Sequence, residues 1–208
     1  MYGIDENTVE RNAYMDAGIH QNVKIVSVVK ENSKKDDTGS TVLRFYFEND
    51  KGETFNHTEF EIDTENLKKL AKQWNADPKE LIKNTFLDLN LRIKHILETF
   101  IPKDQIIFKA KGWEDFCDKA VKLCGELYKD TTVRVKLIYN KKDFPIFPKK
   151  TFQPFIQNSE ENDALKINKK YDRVTPLAPT EENLYGDDEV DGDGSSEGLD
   201  DEDFDDEF

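Results

Sequence analysis

The sequence predicts a mainly β domain with a block of helices in its middle, followed by an acidic C-terminal tail. Three β-rich runs come first, a long stretch with helical spacing follows, and β-rich runs return before residue 158. The charge is uneven, because residues 181–208 carry 15 acidic side chains and no Lys or Arg. The preceding 180 residues hold 29 acidic and 30 basic side chains. A nearly neutral body therefore carries an anionic tail, which accounts for the formal net charge of −14.

The first half of the sequence predicts a three-stranded antiparallel meander. Val23–Val29 is rich in β-branched residues, and Thr41–Phe47 alternates apolar and polar side chains as a half-buried strand does. Asn49–Gly52 has the composition of a hairpin turn, and Thr54–Ile62 follows it as a third strand.

The apolar spacing then changes to that of helices. Asp63 or Thr64 can cap a first helix, and Asp77–Pro78 starts a second one that carries a broad apolar stripe. Trp113–Tyr128 predicts a third helix, with its apolar side chains on one face. Between the second and third helices, Gln105–Lys111 predicts a short strand.

Two strands, Thr132–Tyr139 and roughly Thr151–Ile156, close the folded part. Three strands, a helical connection and two more strands are the order of an OB-fold, a five-stranded Greek-key barrel with a helix between its third and fourth strands. The alternative is a generic α+β domain, since strand order alone fits many topologies. The predicted organisation is an OB-fold-like domain at 1–158 with a helical insertion at about 63–130, a linker at 159–180 and a disordered acidic tail at 181–208.

Residues 131–158 combine basic and aromatic side chains with a single acidic residue, Asp143. Cations neutralise phosphates, and aromatic rings offer flat faces on which unpaired bases stack. The predicted DNA-binding residues in this stretch are Arg134, Lys136, Tyr139, Lys141, Lys142, Phe144, Phe147, Lys149, Lys150 and Phe152. Further candidates are Arg44, Tyr46, Lys109 and Lys111. The alternative is that the aromatic residues belong to the core and that Glu48 or Glu59 neutralises Arg44.

The end of the tail is a second candidate site. Two phenylalanines lie among carboxylates there, so the segment can dock into a basic, apolar pocket of another protein or fold over its own cationic groove. The predicted partner-binding residues are Asp203, Phe204, Asp205, Asp206, Glu207 and Phe208. The alternative is a tail that serves solubility alone.

Other classes of protein find no support in the sequence. The three histidines are scattered, and Cys117 and Cys124 share one helical face as core residues would, so no metal site is expected. Phosphate-binding and nucleophile motifs are absent, so neither catalysis nor a cofactor is expected. There is no membrane-length apolar run and no signal peptide at the start, and two cysteines do not make a disulfide scaffold. These features indicate a cytoplasmic protein.

Two segments carry a family resemblance. Gly18–Ile25 looks like the first barrel strand of phage proteins, and Asp200–Phe208 is similar to the acidic tails of phage and bacterial ones. On these residues the chain resembles the single-stranded DNA-binding proteins of bacteria and tailed bacteriophages, crAss-like phages among them. The resemblance implies that the tail recruits replication or recombination enzymes such as a polymerase, helicase or primase. It also implies that Tyr139, Phe144, Phe147 and the neighbouring lysines contact DNA.

The chain departs from the bacterial members of this family in two ways. Its helical stretch, roughly Glu65–Tyr128, is longer than that of a minimal OB-fold, and Glu207 stands before Phe208 where the bacterial tail has a proline. Both departures favour a phage-type member, which would act in the host cytoplasm. They also leave open whether the chain forms a homo-oligomer.

The sequence therefore predicts a non-catalytic protein that binds and protects single-stranded DNA in replication, recombination or repair. The tail would recruit partners and compete with DNA. The alternative is an acidic-tailed assembly factor, chaperone or DNA mimic that does not touch DNA. A metal-dependent nuclease is a weaker third reading, because the folded part has no clustered set of carboxylates.

Overall fold

The computed structural model describes residues 13–33, 39–149, 153–161 and 165–177. These residues fall within one compact unit that ends at Leu177. The predicted acidic tail, the site residues Lys150 and Phe152, and the tail residues Asp203–Phe208 lie outside the described residues.

The predicted meander is confirmed. Its strands are β1 (Gly18–Asn32), β2 (Thr41–Glu48) and β3 (Thr54–Phe60), and each pairs antiparallel with the next. The β2–β3 turn forms because Asn49 Oδ1 accepts the backbone N–H groups of Lys51 and Glu53 at 3.0 and 2.9 Å. Apolar side chains of β2 alternate into the core, as the sequence pattern predicts.

The first strand is long and irregular, and it pairs with two other strands. Its first half, from Gly18 to Lys24, pairs with β4 (Thr132–Tyr139), and its second half pairs with β2. The register shifts between His20 and Val23, where Asn22 has a φ of 52°. The resulting order β3-β2-β1-β4 is a Greek key, in which the fourth strand returns by a long connection to lie beside the first.

Helices form this long connection. They are α1 (Thr64–Gln73), α2 (Pro78–Leu97) and α3 (Trp113–Cys124). Asp63 caps α1 by accepting the N–H of Asn66, and Asp77 caps α2 by accepting that of Lys79, each at 2.9 Å. Three helices are confirmed, although the third ends four residues earlier than predicted.

The core lies between the sheet and the helices. Aromatic rings fill its centre, where Phe147 meets Phe47 and Phe155 with ring centroids 5.5 and 4.8 Å apart. Cys117 and Cys124 are buried on α3, and burial raises the pKa of each thiol to about 12, as expected of core residues.

A buried ion pair fastens α2 to the sheet. Arg92 donates two hydrogen bonds to the Glu59 carboxylate, at 2.7 and 2.9 Å, and His57 Nε2 lies 2.9 Å from the same group. Glu59 is only 4% exposed, so its charge depends on these two partners.

The predicted five-stranded barrel is wrong, because the sheet has six strands and does not close. The short strands β5 (Pro145–Ile146) and β6 (Ile156–Asn158) both pair with β4, and neither pairs with β3 in the described part of the chain. The outer edge of β3 is instead met at Thr54 by the backbone of Ala13 and Met15. The mainly β character, with helices between the third and fourth strands, is confirmed.

Three local predictions also need correction. Gln105–Lys111 is not a strand, since Gln105 ends a short 3-10 helix (Lys103–Gln105) and the residues after it are irregular, without a strand partner among the described residues. The last strand begins at Ile156, where the predicted strand ends. The predicted linker at 159–180 is not a free connection, because Asp172 pairs with Lys136 of β4 and the carbonyl oxygen of Arg173 accepts the N–H of Tyr139.

Candidate nucleic-acid interface

The turn between β4 and β5, residues 140–144, projects basic and aromatic side chains; we call it the basic turn. Asn140 shapes it, since its Oδ1 accepts the N–H groups of Lys142 and Phe144 at 2.9 and 3.0 Å. Asp143 takes the left-handed conformation, with a φ of 58°. Lys141 and Lys142 are exposed, and 53% of Phe144 is open to solvent. This geometry suits contact with a phosphate backbone and an unpaired base.

The one acid of the basic turn is neutralised within the chain. Arg173 binds the Asp143 carboxylate through Nη1, and its Nη2 donates to the carbonyl oxygen of Asn140. The backbone N–H of Leu177 also donates to Asp143, at 3.1 Å. The hydrogen bond from Arg173 lowers the pKa of Asp143, so the carboxylate stays ionised and paired. The charge of Asp143 is therefore offset by Arg173.

Residues 165–177, which we call the basic strap, bring a second set of cations to the same strand. The strap is fixed to β4 by a buried ion pair in which Lys136 Nζ lies 2.7 Å from Asp172 Oδ2. The N–H of Tyr139 donates to the carbonyl oxygen of Arg173 at 2.8 Å. The exposed cations of the strap are Lys166, Lys169 and Lys170.

Sequence reasoning missed the basic strap, although a signal for it was present. The run Lys166–Arg173 has four basic residues and one acid, and it contains Tyr171, which is 44% exposed. Lys170 Nζ lies 5.3 Å from the centroid of the Tyr171 ring. Proline and mixed charge nearby favoured a linker, whereas the basic–aromatic composition matches that of residues 131–158.

Three predicted contact residues are buried and cannot reach a strand of DNA. Lys136 is 1% exposed, and its ammonium group forms an ion pair with Asp172. Phe147 is 2% exposed and belongs to the core. Tyr139 is 8% exposed; its hydroxyl donates to Asp16, and this hydrogen bond raises the pKa of the phenol. The alternative of a core role is the correct one for Phe147.

The candidates on the second strand form a polar cluster of their own. Arg44 binds the carboxylate of Glu31, and its Nε donates to Thr58 Oγ1 at 2.8 Å. The hydroxyl of Tyr46 lies 3.4 Å from the same glutamate. Glu31 therefore neutralises Arg44, in place of the glutamates that the sequence suggested.

The remaining candidates lie apart from this cluster. Arg134 donates to the carbonyl oxygens of Asn158 and Glu161, so its guanidinium is partly engaged. Lys109 and Lys111 are exposed in the irregular segment before α3, a helix that packs on the first two strands. Lys149 is exposed after β5.

Comparisons with protein-family models, with curated proteins and with solved structures found no match to this chain. Among the described residues, no three His, Cys, Asp or Glu side chains are grouped so that they could hold a metal ion. Within the same residues, no helix has both the length and the apolar character needed to cross a membrane.

Proposed function

We propose that this chain binds single-stranded DNA without reading its sequence, and coats it in replication, recombination or repair. The observation that carries the proposal is the exposed basic and aromatic surface of the basic turn and the basic strap, whose two acids, Asp143 and Asp172, are both paired internally. Binding would be non-catalytic and would take place in the cytoplasm. The acidic tail would recruit replication or recombination enzymes.

The topology supports this proposal. An OB-fold is a partly open Greek-key barrel, and the loop between its fourth and fifth strands borders the face that binds oligonucleotides. The basic turn joins β4 to β5, so it occupies the place of that loop. The sheet of this chain resembles an OB-fold that lacks the pairing between the third and last strands.

Salt dependence tests the electrostatic part of the proposal. Each phosphate neutralised on a single strand contributes about −0.7 to the slope of log affinity against log salt. We expect Lys142→Glu with Lys170→Glu to weaken binding to an oligo-dT of about ten nucleotides and to flatten that slope by about 1.4. Fluorescence anisotropy between low and moderate salt measures both quantities.

Lys103→Glu with Lys122→Glu is the matched control, because it makes the same charge change at exposed lysines outside the basic turn and strap. The control is expected to keep the wild-type slope. Equal losses in both variants would mean that net charge, and not this surface, governs binding. If the wild-type chain does not bind oligo-dT, the alternative function, an acidic-tailed interaction protein, is favoured. The burial of Lys136 and Phe147, two of the predicted DNA-binding residues, is the observation that supports this alternative.

Base stacking is tested at Phe144. Because a stacked base contributes about 1–3 kcal/mol, Phe144→Ala should weaken oligo-dT binding by about tenfold or more while leaving the salt slope unchanged. Phe86→Ala is the control, since Phe86 is a similarly exposed ring on α2, at 44%. If Phe144→Ala and Phe86→Ala bind as tightly as the wild type, the ring of Phe144 does not stack on DNA.

A further inference from the structure

The apolar stripe of α2 continues past the part that the sheet covers. Leu89 and Ile93 of this stripe are 5% and 2% exposed. Phe86 lies seven residues before Ile93 and therefore on the same helical face, yet it is 44% exposed. Ile82, one turn earlier, is half-buried. The N-terminal half of α2 thus presents an apolar face to solvent.

Helix α1, which packs on α2, carries an exposed ring of its own. Leu67, Leu70 and Trp74 follow one another at helical spacing at its end, and Trp74 is 45% exposed. Ala71 is buried where α1 packs on α2. We call residues 64–87 the helical hairpin. Its rings Trp74 and Phe86 are 45% and 44% exposed, whereas Ile93, further along α2, is 2% exposed.

The helical hairpin is rich in lysine. Those of the helical hairpin that form no ion pair with a described carboxylate are Lys69, Lys72, Lys79 and Lys83, and all four are exposed. Lys68 pairs with Glu65 at 2.5 Å. Exposed apolar side chains on a helical hairpin that also carries these lysines favour an anionic partner with a large apolar side chain.

The helical hairpin is separate from the basic turn. Arg92 ties α2 to Glu59, near the end of β3, whereas Tyr139 contacts Asp16, which follows the segment paired with Thr54 at the beginning of β3. The strand between Thr54 and Phe60 spans about 20 Å. The anchor of α2 on the sheet and the anchor beside the basic turn therefore lie at opposite ends of β3.

We infer that the helical hairpin docks the C-terminal segment, residues 200–208, of a second copy of this chain. Seven of these nine residues are acidic and the other two are Phe204 and Phe208, which matches the lysines and the exposed rings of the helical hairpin in charge and in anchor type. Thirty-one residues follow Leu177 in the sequence. A chain of that length can span up to about 100 Å, so it is long enough to reach a neighbouring copy.

This inference rests on the proposed function for its choice of a second copy. Copies side by side on one strand present each C-terminal segment to the next helical hairpin at high effective concentration. The contact joins two different surfaces, so it is heterologous and can be repeated from one copy to the next along a strand. Coating of long DNA would then be cooperative.

Two full-length variants test the inference by complementation. Phe204→Ala with Phe208→Ala removes the donor rings, and Trp74→Ala with Phe86→Ala removes the exposed rings of the acceptor. Sedimentation velocity at low salt should show self-association of the wild type, at least about tenfold weaker association of each variant alone, and a complex restored to wild-type affinity when the two variants are mixed. Moderate salt should weaken every complex, because exposed charges contribute to it.

Leu127→Ala is the matched control for the acceptor, since Leu127 is 55% exposed after α3. It should associate as the wild type does. A wild-type chain that remains monomeric, or a Trp74→Ala/Phe86→Ala variant that associates normally, would overturn the inference. Anisotropy with an oligo-dT of about ten nucleotides, long enough for one copy, keeps the two proposals apart. Both variants should bind it as the wild type does, and loss of binding by the wild type would count against the proposed function alone.

Discussion

Asp172→Asn is expected to lower the free energy of unfolding by about 3–5 kcal/mol, because it leaves a buried ammonium without its counter-charge. The side chains of Lys136 and Asp172 are only 1% and 4% exposed, and their charged atoms lie 2.7 Å apart. The other oxygens near Lys136 Nζ belong to Gln153 and Lys166, at 3.4 and 3.3 Å, and carry no net charge. Urea denaturation followed by tryptophan fluorescence measures the change.

Two controls separate burial from charge. Glu65→Gln breaks the exposed pair with Lys68, whose side chains are 75% and 49% exposed, and should cost less than about 1 kcal/mol. The double replacement Lys136→Met/Asp172→Leu should be less destabilising than Asp172→Asn, since neither charge is left buried alone. If Asp172→Asn and Glu65→Gln have the same denaturation midpoint, the pair is not buried in solution.

The same substitution has a consequence for the proposed interface. Asp172 also accepts the N–H of Asn168 at 2.7 Å, so it holds the fold of the basic strap as well as its attachment to β4. We expect Asp172→Asn to weaken oligo-dT binding under conditions where the chain stays folded, because Lys169 and Lys170 lose their fixed position. Unchanged affinity would show that the strap cations do not contact DNA.

Local chemistry made much of the fold predictable. The meander follows from the alternation of β2 and from the Asn49 turn, and the helix starts follow from the Asp63 and Asp77 caps. These signals act over a few residues, so the sequence displays them directly. Closure of a barrel depends on pairing between strands that are far apart in the sequence, which local patterns do not reveal. In this chain the short strands β5 and β6 both pair with β4.

The candidate site was less predictable, because exposure depends on distant parts of the chain. The alternation of β4 places Lys136 opposite Val135 and Leu137, on what the sequence suggests is a solvent face. The basic strap, some 30 residues later, covers that face and supplies Asp172. Phe147 lies between two prolines, and this local sequence does not indicate whether its ring faces the core or the solvent. In the structure the ring packs against Phe47 in the core.

The stability of the chain should fall between pH 5 and pH 2 in a way that depends on Glu59. Burial alone would raise the pKa of this carboxyl, but His57 and Arg92 outweigh it and hold the value at about 2, against 4.5 for an unperturbed glutamate. The ionised form is thus favoured by folding. Its contribution, about 3 kcal/mol, is fully present above pH 4.5 and is lost as the pH falls through 2.

Comparing Glu59→Gln with the wild type isolates the contribution of Glu59 to the pH dependence of stability. The many carboxylates of the C-terminal segment are the same in the variant and the wild type, so their titration cancels. The variant should be less stable than the wild type at pH 6, and the difference should shrink by about 2 kcal/mol on going to pH 3. Glu65→Gln is the control, and its small difference from the wild type should change little over the same range because that pair is exposed. Denaturant midpoints at several pH values measure both differences. A gap between wild type and Glu59→Gln that stays constant would mean that the Glu59–Arg92 contact does not hold α2 to β3 as an ion pair, because a neutral contact at that site would not titrate.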